Sequence, residues 1–172
     1  MNAEQIKSLL EQVKSGRTAV DDAFERLKTL PYEDLGHSKI DHHRQVRSGY
    51  PEVIYCQGKT KDQIADIVSC MLDRGSNILA TRACEKMFAR VRELTDKAVY
   101  HSVAGIIEIK QQEVTIPETT IAVVCAGTSD IPVAEEAAVT AEALGNTVDR
   151  TYDVGVAGIH RLMGHIDLIR KA

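Results

Sequence analysis

Hydrophobic positions near the start of the chain recur at helical spacing. Ile6, Leu9, Leu10 and Val13 fall at i, i+3, i+4 and i+7, and Gly16 stops the run. Thr18 opens a second helical pattern, with Asp21 three residues on, Phe24 and Leu27 on its apolar side and Pro31 just past its end. The pattern predicts a helical hairpin that docks onto another surface. Residues 53–56 then form a short β-prone run behind Pro51, broken by Gly58. Thr60 and Gln63 make a T-x-x-Q capping box, and Ile64, Ile67, Val68, Met71 and Leu72 complete an amphipathic stripe that Gly75 ends. Strand over 77–81, helix over 84–94, and strands over 99–103 and 106–109 around Gly105 follow. Such alternation predicts βαβ units and a mostly parallel sheet.

Residues 110–120 are polar, contain Pro117 and read as a linker. Beyond them, residues 120–125 form a continuous apolar run of the kind found in strands buried on both faces. A helix over about 131–144, Gly145, a strand over 147–152 and a last helix from near Gly158 complete the pattern. The expected fold class is α/β. An N-terminal helical hairpin and small α/β domain occupy 1–117, and the first βα units of a parallel α/β layer occupy 118–172. Two parallel strands cannot cover both faces of such a layer. Completion by another subunit, or by chain that a truncated C-terminus lacks, is therefore expected.

Composition narrows the functional classes. Of 172 residues, 44% are hydrophobic and 27% charged, enough apolar content for a buried core. A net charge of -4 argues against nonspecific nucleic-acid binding, yet leaves room for a small anion held by one Arg and a helix N-terminus. The charged start has no apolar segment of the signal-peptide kind, and the longest apolar stretch, 121–126, is too short for a bilayer. The four cysteines form no CxxC pair, which points to a reducing compartment without disulfides or a zinc site. A cytoplasmic protein, bound to neither nucleic acid nor membrane, is expected.

Three stretches concentrate chemistry. Ala126-Gly-Thr-Ser-Asp-Ile-Pro132 lies between a strand and a helix, where open α/β sheets bind ligands. There Thr128 and Ser129 can donate to phosphate oxygens and Asp130 can accept from a sugar hydroxyl. Plain helix capping accounts for the same residues equally well. Asp153-Val-Gly-Val-Ala-Gly-Ile-His-Arg161 follows the next strand, with His160 able to move protons and Arg161 able to clamp a phosphate. The plainer reading makes both solvated surface residues. His160 and His165 are spaced i, i+5, which does not suit a shared metal.

The third stretch, Lys39-Ile-Asp-His-His-Arg44 with Arg47, gathers cations beside an acid, or is a charged loop edge. In extended chain His42 and His43 point to opposite faces. Thr81-Arg82 is either an anion contact or a turn. Cys84, near a helix start, is either activated there or a buried structural thiol.

Five stretches together resemble a known family. These are Asp41-His-His-Arg44, Arg47-Ser-Gly-Tyr-Pro-Glu-Val-Ile54, Asn77-Ile-Leu-Ala-Thr-Arg82, Ala126-Gly-Thr-Ser-Asp-Ile-Pro-Val-Ala-Glu-Glu136 and Tyr152-Asp-Val-Gly-Val-Ala-Gly-Ile-His-Arg-Leu162. They resemble the LarB family, the pyridinium-3,5-biscarboxylic acid mononucleotide synthases of nickel-pincer cofactor biosynthesis. The C-terminal part is also similar to 5-aminoimidazole ribonucleotide (AIR) carboxylase/mutase, whose Gly-Ser-x-Ser-Asp and Ser-Ala-His-Arg turns bind the ribonucleotide and place a catalytic His. Ser129 and Asp130 correspond to the first turn, His160 and Arg161 to the second.

The resemblance implies carboxylation of nicotinic acid adenine dinucleotide at C5 of its pyridine ring, with phosphoanhydride hydrolysis releasing AMP. It implies an AIR-carboxylase-like layer after residue 117 and a homo-oligomer. The family nucleophile is a cysteine in a C-terminal motif that none of Cys56, Cys70, Cys84 and Cys125 matches, so this chain alone is expected to be inactive. His160 is then the catalytic candidate. Thr128, Ser129, Asp130 and Arg161, with Lys39, Asp41, Arg44 and Arg82, are candidates for substrate binding. No metal and no cofactor beyond the substrates, the dinucleotide and carbon dioxide or bicarbonate, is expected. An imidazole ribonucleotide carboxylase or mutase, and a non-catalytic nucleotide-binding module, are the alternatives.

Overall fold

The computed structural model describes residues 3–28, 32–42, 44, 49–114 and 116–172. Pro31, His43 and Arg47, which entered the sequence expectations, lie outside them. The two predicted N-terminal helices are α1 (Ala3–Lys14) and α2 (Val20–Lys28), in contact with one another. Leu9 and Ala23 are buried, whereas Leu10, Val20 and Phe24 stay exposed. A short antiparallel hairpin follows, β1 (Glu33–Asp34) and β2 (Lys39–Ile40). Its turn is set by Asp34, whose Oδ1 accepts from the Gly36 N–H at 2.8 Å.

Next come β3 (Val53–Tyr55), α3 (Lys61–Asp73), β4 (Ile78–Thr81), α4 (Glu85–Arg92), β5 (Ala98–His101) and β6 (Ile106–Ile109). The capping box of α3 forms as its spacing predicts. Thr60 Oγ1 accepts from the Gln63 N–H at 3.2 Å, and Gln63 Oε1 accepts from the Thr60 N–H at 2.9 Å. The strands order as β3-β4-β6-β5. Here the expectation of a mostly parallel sheet is corrected. β3 and β4 pair parallel across α3, but β6 pairs antiparallel with both β4 and β5. Only four residues, 102–105, join β5 to β6, far short of the crossover that parallel pairing needs.

Side chains of β6 alternate between two cores. Ile107 and Ile109 pack with Ile64, Val68 and Val91 of α3 and α4. Ile106 points the other way, into a smaller cluster with Leu79, Ala104 and Val139. Val139 belongs to α5 (Ile131–Ala143), which lies between β7 (Thr120–Val124) and β8 (Thr147–Thr151) in sequence. β7 and β8 pair parallel, and α5 packs against them as well as against β4 and β6. One helix thus serves as a layer shared by both sheets. Arg150 fastens β8 to it, donating to both carboxylate oxygens of Glu142 at 2.6 and 2.7 Å and to Glu135 at 3.2 Å.

Burial of β7 on both faces is not observed. Ile121 is 41% and Val124 42% exposed, and because side chains alternate along a strand these two stand on opposite faces. After β8 come a 3-10 turn (Val156–Gly158) and two short helices, α6 (Ile159–Met163) and α7 (Ile166–Ile169). No helix among the described residues is long and apolar enough to cross a membrane.

The predicted linker is tied down at its start. Asn77 Oδ1 accepts from the backbone N–H groups of Gln111 and Gln112 at 2.7 and 2.8 Å, and its Nδ2 donates to the Gln112 carbonyl at 2.9 Å. Asn77→Ala leaves two part-buried donors and one acceptor without these partners. Urea unfolding should show a loss of about 1–3 kcal/mol. No measurable loss would mean that water replaces Asn77 at no cost.

Candidate functional site

Two loops at the carboxyl ends of β7 and β8 are pinned side by side. The Val154 N–H donates to the Cys125 carbonyl at 3.1 Å and the Gly155 N–H to the Ala126 carbonyl at 2.9 Å. A Cβ on Gly155 would lie 2.9 Å from that same carbonyl oxygen, so the approach requires glycine. This pairing sets the loop of Thr128, Ser129 and Asp130 next to the loop that starts at Asp153.

In the first loop Thr128, Ser129 and Asp130 form one exposed 3-10 turn leading into α5. Asp130 Oδ2 accepts from the Gly127 N–H at 2.9 Å and closes that turn. Its role is therefore at least partly structural. In the second loop Asp153 stands at φ 57°, a left-handed conformation costly for a residue with a side chain. Its Oδ2 accepts from Arg161 Nη1 at 2.6 Å, and the guanidinium folds back across Gly158. His160 is exposed on α6 beside it.

Arg82, at the end of β4, is the other described non-glycine residue at positive φ, 54°. It makes a two-pronged ion pair with Glu136 of α5, at 2.8 and 2.7 Å. This pair crosses a cleft of about 410 Å³ lined by Arg82, Cys84, Tyr100 and Ser102 from the first sheet and by Pro132 and Val133 from the first turn of α5. Arg82 thus lies beside the helix start that follows Thr128, Ser129 and Asp130. Cys84 is exposed at the N-cap of α4, not buried as a structural thiol would be. Burial instead pushes the Cys56 thiol up to about 11.

Lys39, Asp41 and Arg44 lie elsewhere. Lys39 Nζ sits 3.5 Å from Asp34 Oδ2 and 5.5 Å above the Tyr32 ring. The Asp41 N–H donates to Glu52 Oε2 at 2.6 Å, and the Arg44 N–H donates to the Asp41 carbonyl at 3.4 Å. Asp41, Pro51, Glu52 and Ser76 border one small hollow before β3 and β4, the opposite end of the sheet from Arg82. β4 alone separates the two ends by roughly 13 Å. Within one chain the substrate-binding candidates therefore fall into two groups.

One pair escaped the sequence reading. Glu108 is buried on the α5 side of β6, with His101 Nε2 at 3.0 Å and Lys110 Nζ at 3.2 Å from its carboxylate. His101 borders a second hollow, about 380 Å³, with Ile131 and Glu135 of α5. A carboxylate that holds an imidazole is an arrangement suited to proton transfer. The acid interrupting the apolar run Ile106-Ile-Glu-Ile109 was the available signal.

Comparison with known proteins bears on the fold containing Arg82, His101 and Glu108. An uncharacterised protein of Methanocaldococcus jannaschii is 34% identical over an alignment of 166 positions that covers 92% of this chain and 65% of that protein. The chain spans, in that alignment, slightly less than two thirds of the relative's length. Residues 32–112 match the family described as LarB/PurE-like N-terminal domain. That stretch runs from the β1–β2 hairpin through the whole four-stranded sheet to the anchored Gln112. Over residues 32–112, from the β1–β2 hairpin to Gln112, the chain is similar to the LarB/PurE-like N-terminal domain family.

Proposed function

We propose that this chain belongs to an enzyme that carboxylates the pyridinium ring of nicotinic acid adenine dinucleotide and hydrolyses its phosphoanhydride. The products are pyridinium-3,5-biscarboxylic acid mononucleotide and AMP. A LarB/PurE-like domain suggests a carboxylase-related function. The observation that carries the finer reading is the pair of pinned loops at the ends of β7 and β8. They set the donors of Thr128 and Ser129 and the start of α5 beside the loop that holds Arg161. Backbone N–H groups at a helix start and a guanidinium suit a phosphate-bearing ligand.

The chemistry defines what else is needed. A pyridinium ring is electron-poor and does not attack carbon dioxide. A nucleophile must add to it first, and a base must then remove the ring proton so that the nucleophile can leave. His160, on the helix that follows β8, and the His101–Glu108 pair, which borders a hollow with Ile131 and Glu135 of α5, are the candidate bases. The nucleophile is assigned to no cysteine of this chain. Exposed Ile121 and Val124 fit a homo-oligomer in which β7 is covered.

The test is mass spectrometry after incubation with the dinucleotide and labelled bicarbonate, on this chain and on one extended to the length of the relative. Label in a dicarboxylated mononucleotide, with AMP released, supports the reading. Label in an imidazole ribonucleotide instead selects the purine-type carboxylase, and binding without turnover by either chain selects a nucleotide-binding module. Arg161→Ala should weaken dinucleotide binding about ten- to a hundredfold in equilibrium dialysis, the loss of one charged hydrogen bond to phosphate. Unchanged affinity would remove Arg161 from the site.

A further inference from the structure

Glu33, His42 and Cys70 come from three separate segments, β1, the loop after β2 and the last turns of α3. Their ligand atoms all lie within 4.8 Å of one another. His42 Nε2 is 3.2 Å from Glu33 Oε2 and 4.0 Å from Cys70 Sγ. The His42 side chain is 5% exposed and Cys70 8%. A nitrogen, a thiol sulfur and a carboxylate oxygen converge at the N-terminal ends of β3 and β4, away from the cleft at Arg82.

We propose that these three residues bind one zinc-class divalent cation. Zinc–ligand bonds of about 2.0–2.3 Å at tetrahedral angles place a nitrogen roughly 3.3 Å from an oxygen and roughly 3.6 Å from a sulfur. The two distances from His42, 3.2 Å to the oxygen and 4.0 Å to the sulfur, depart from those values by a few tenths of an ångström, within reach of side-chain rotation. The mixed donor set suits zinc, and does not suit magnesium or calcium, which take oxygen ligands. Arg74 Nη2 lies 3.1 Å from Glu33 Oε2 and remains as the outer partner that orients the ligating carboxylate. Binding displaces the Cys70 proton and leaves the fourth position to water. By position the cation is a staple between the β1–β2 hairpin and α3. The inference is independent of the dinucleotide reading.

The competing account is a hydrogen-bonded cluster with no metal affinity. Titration of the reduced, metal-stripped full chain with Co2+ separates the two. The expected result is one Co2+ per chain, with a thiolate-to-cobalt charge-transfer band and the intense visible bands of a tetrahedral ion, both removed by Zn2+. Cys70→Ser should abolish the charge-transfer band, His42→Ala should weaken binding at least tenfold, and Cys84→Ser should change neither. Glu33→Gln, at the more exposed ligand, keeps the fold and should also bind at least tenfold more weakly. It decides the matter if circular dichroism shows that the buried variants unfold. Absence of the band, its loss in Cys84→Ser, or full affinity in Glu33→Gln overturns the site.

Discussion

Cutting Ile106 back to alanine should destabilise the chain by about 2–5 kcal/mol and loosen α5 from the four-stranded sheet. Ile106 is fully buried and shares its small cluster with Leu79, Ala104 and Val139. Val139 of α5 is in that cluster and Ala143 of the same helix packs against it, so the void opens under the helix. Ile107, the next residue, is also fully buried but faces Ile64 and Val68 of α3. Ile107→Ala removes the same side chain from the same strand and should cost a similar amount. The two variants differ in where they act. Hydrogen exchange of the amides of 131–143 should rise sharply for Ile106→Ala and little for Ile107→Ala, beyond the change in global stability. Equal acceleration in both would mean that α5 is held by other contacts. The Arg82–Glu136 pair spans the same interface, so the Ile106 variant should also widen the cleft.

Much of this architecture was legible because its signals are local. The Thr60–Gln63 box, the apolar stripe of α3 and the strand–loop–helix order after residue 120 each rest on spacing within a few residues. Those spacings recur unchanged in the structure. The pairing of the two strand-end loops was also legible, since parallel strands joined by a helix bring their carboxyl ends together. Strand direction in the first sheet was less so. The short 102–105 connection contained that information, but the alternation of strands and helices upstream outweighed it.

Contacts between distant segments carry no local signal. Glu33, His42 and Cys70 are brought together by folding, whereas the ligand spacings testable in the sequence, CxxC among the cysteines, His42 with His43 and His160 with His165, are all local. β7 shows the opposite error. Its apolar run reads as doubly buried, while among the described residues Ile121 and Val124, on opposite faces, both stay exposed.

Stability should fall as pH rises above about 9, with the raised thiols of Cys56 and Cys70 sharing the first part of the loss. Burial raises the Cys56 thiol from 9.0 to about 11, only partly offset by the nearby Lys59 charge. Below pH 9 the thiol is protonated in folded and unfolded chains alike, so it contributes no pH dependence. Between pH 9 and about 11 the unfolded chain releases the proton and the folded chain retains it. Unfolding is then favoured by about 1.4 kcal/mol per pH unit, approaching about 2.7 kcal/mol in all. Tyr152 is raised from 10.0 to about 12 by burial and by its bond to Glu135, and extends the loss at higher pH. Burial also raises the Cys70 thiol, to about 12, so the Cys56 share is the difference between wild type and Cys56→Ala in urea unfolding between about pH 8 and pH 10. Cys56→Ala should be less stable at pH 8 because a fully buried side chain shrinks, yet its stability should decline less with pH. Cys84→Ala controls for thiol loss as such. Parallel decline in wild type and Cys56→Ala would assign the alkaline loss to other groups and would mean that the buried thiolate is tolerated beside Lys59.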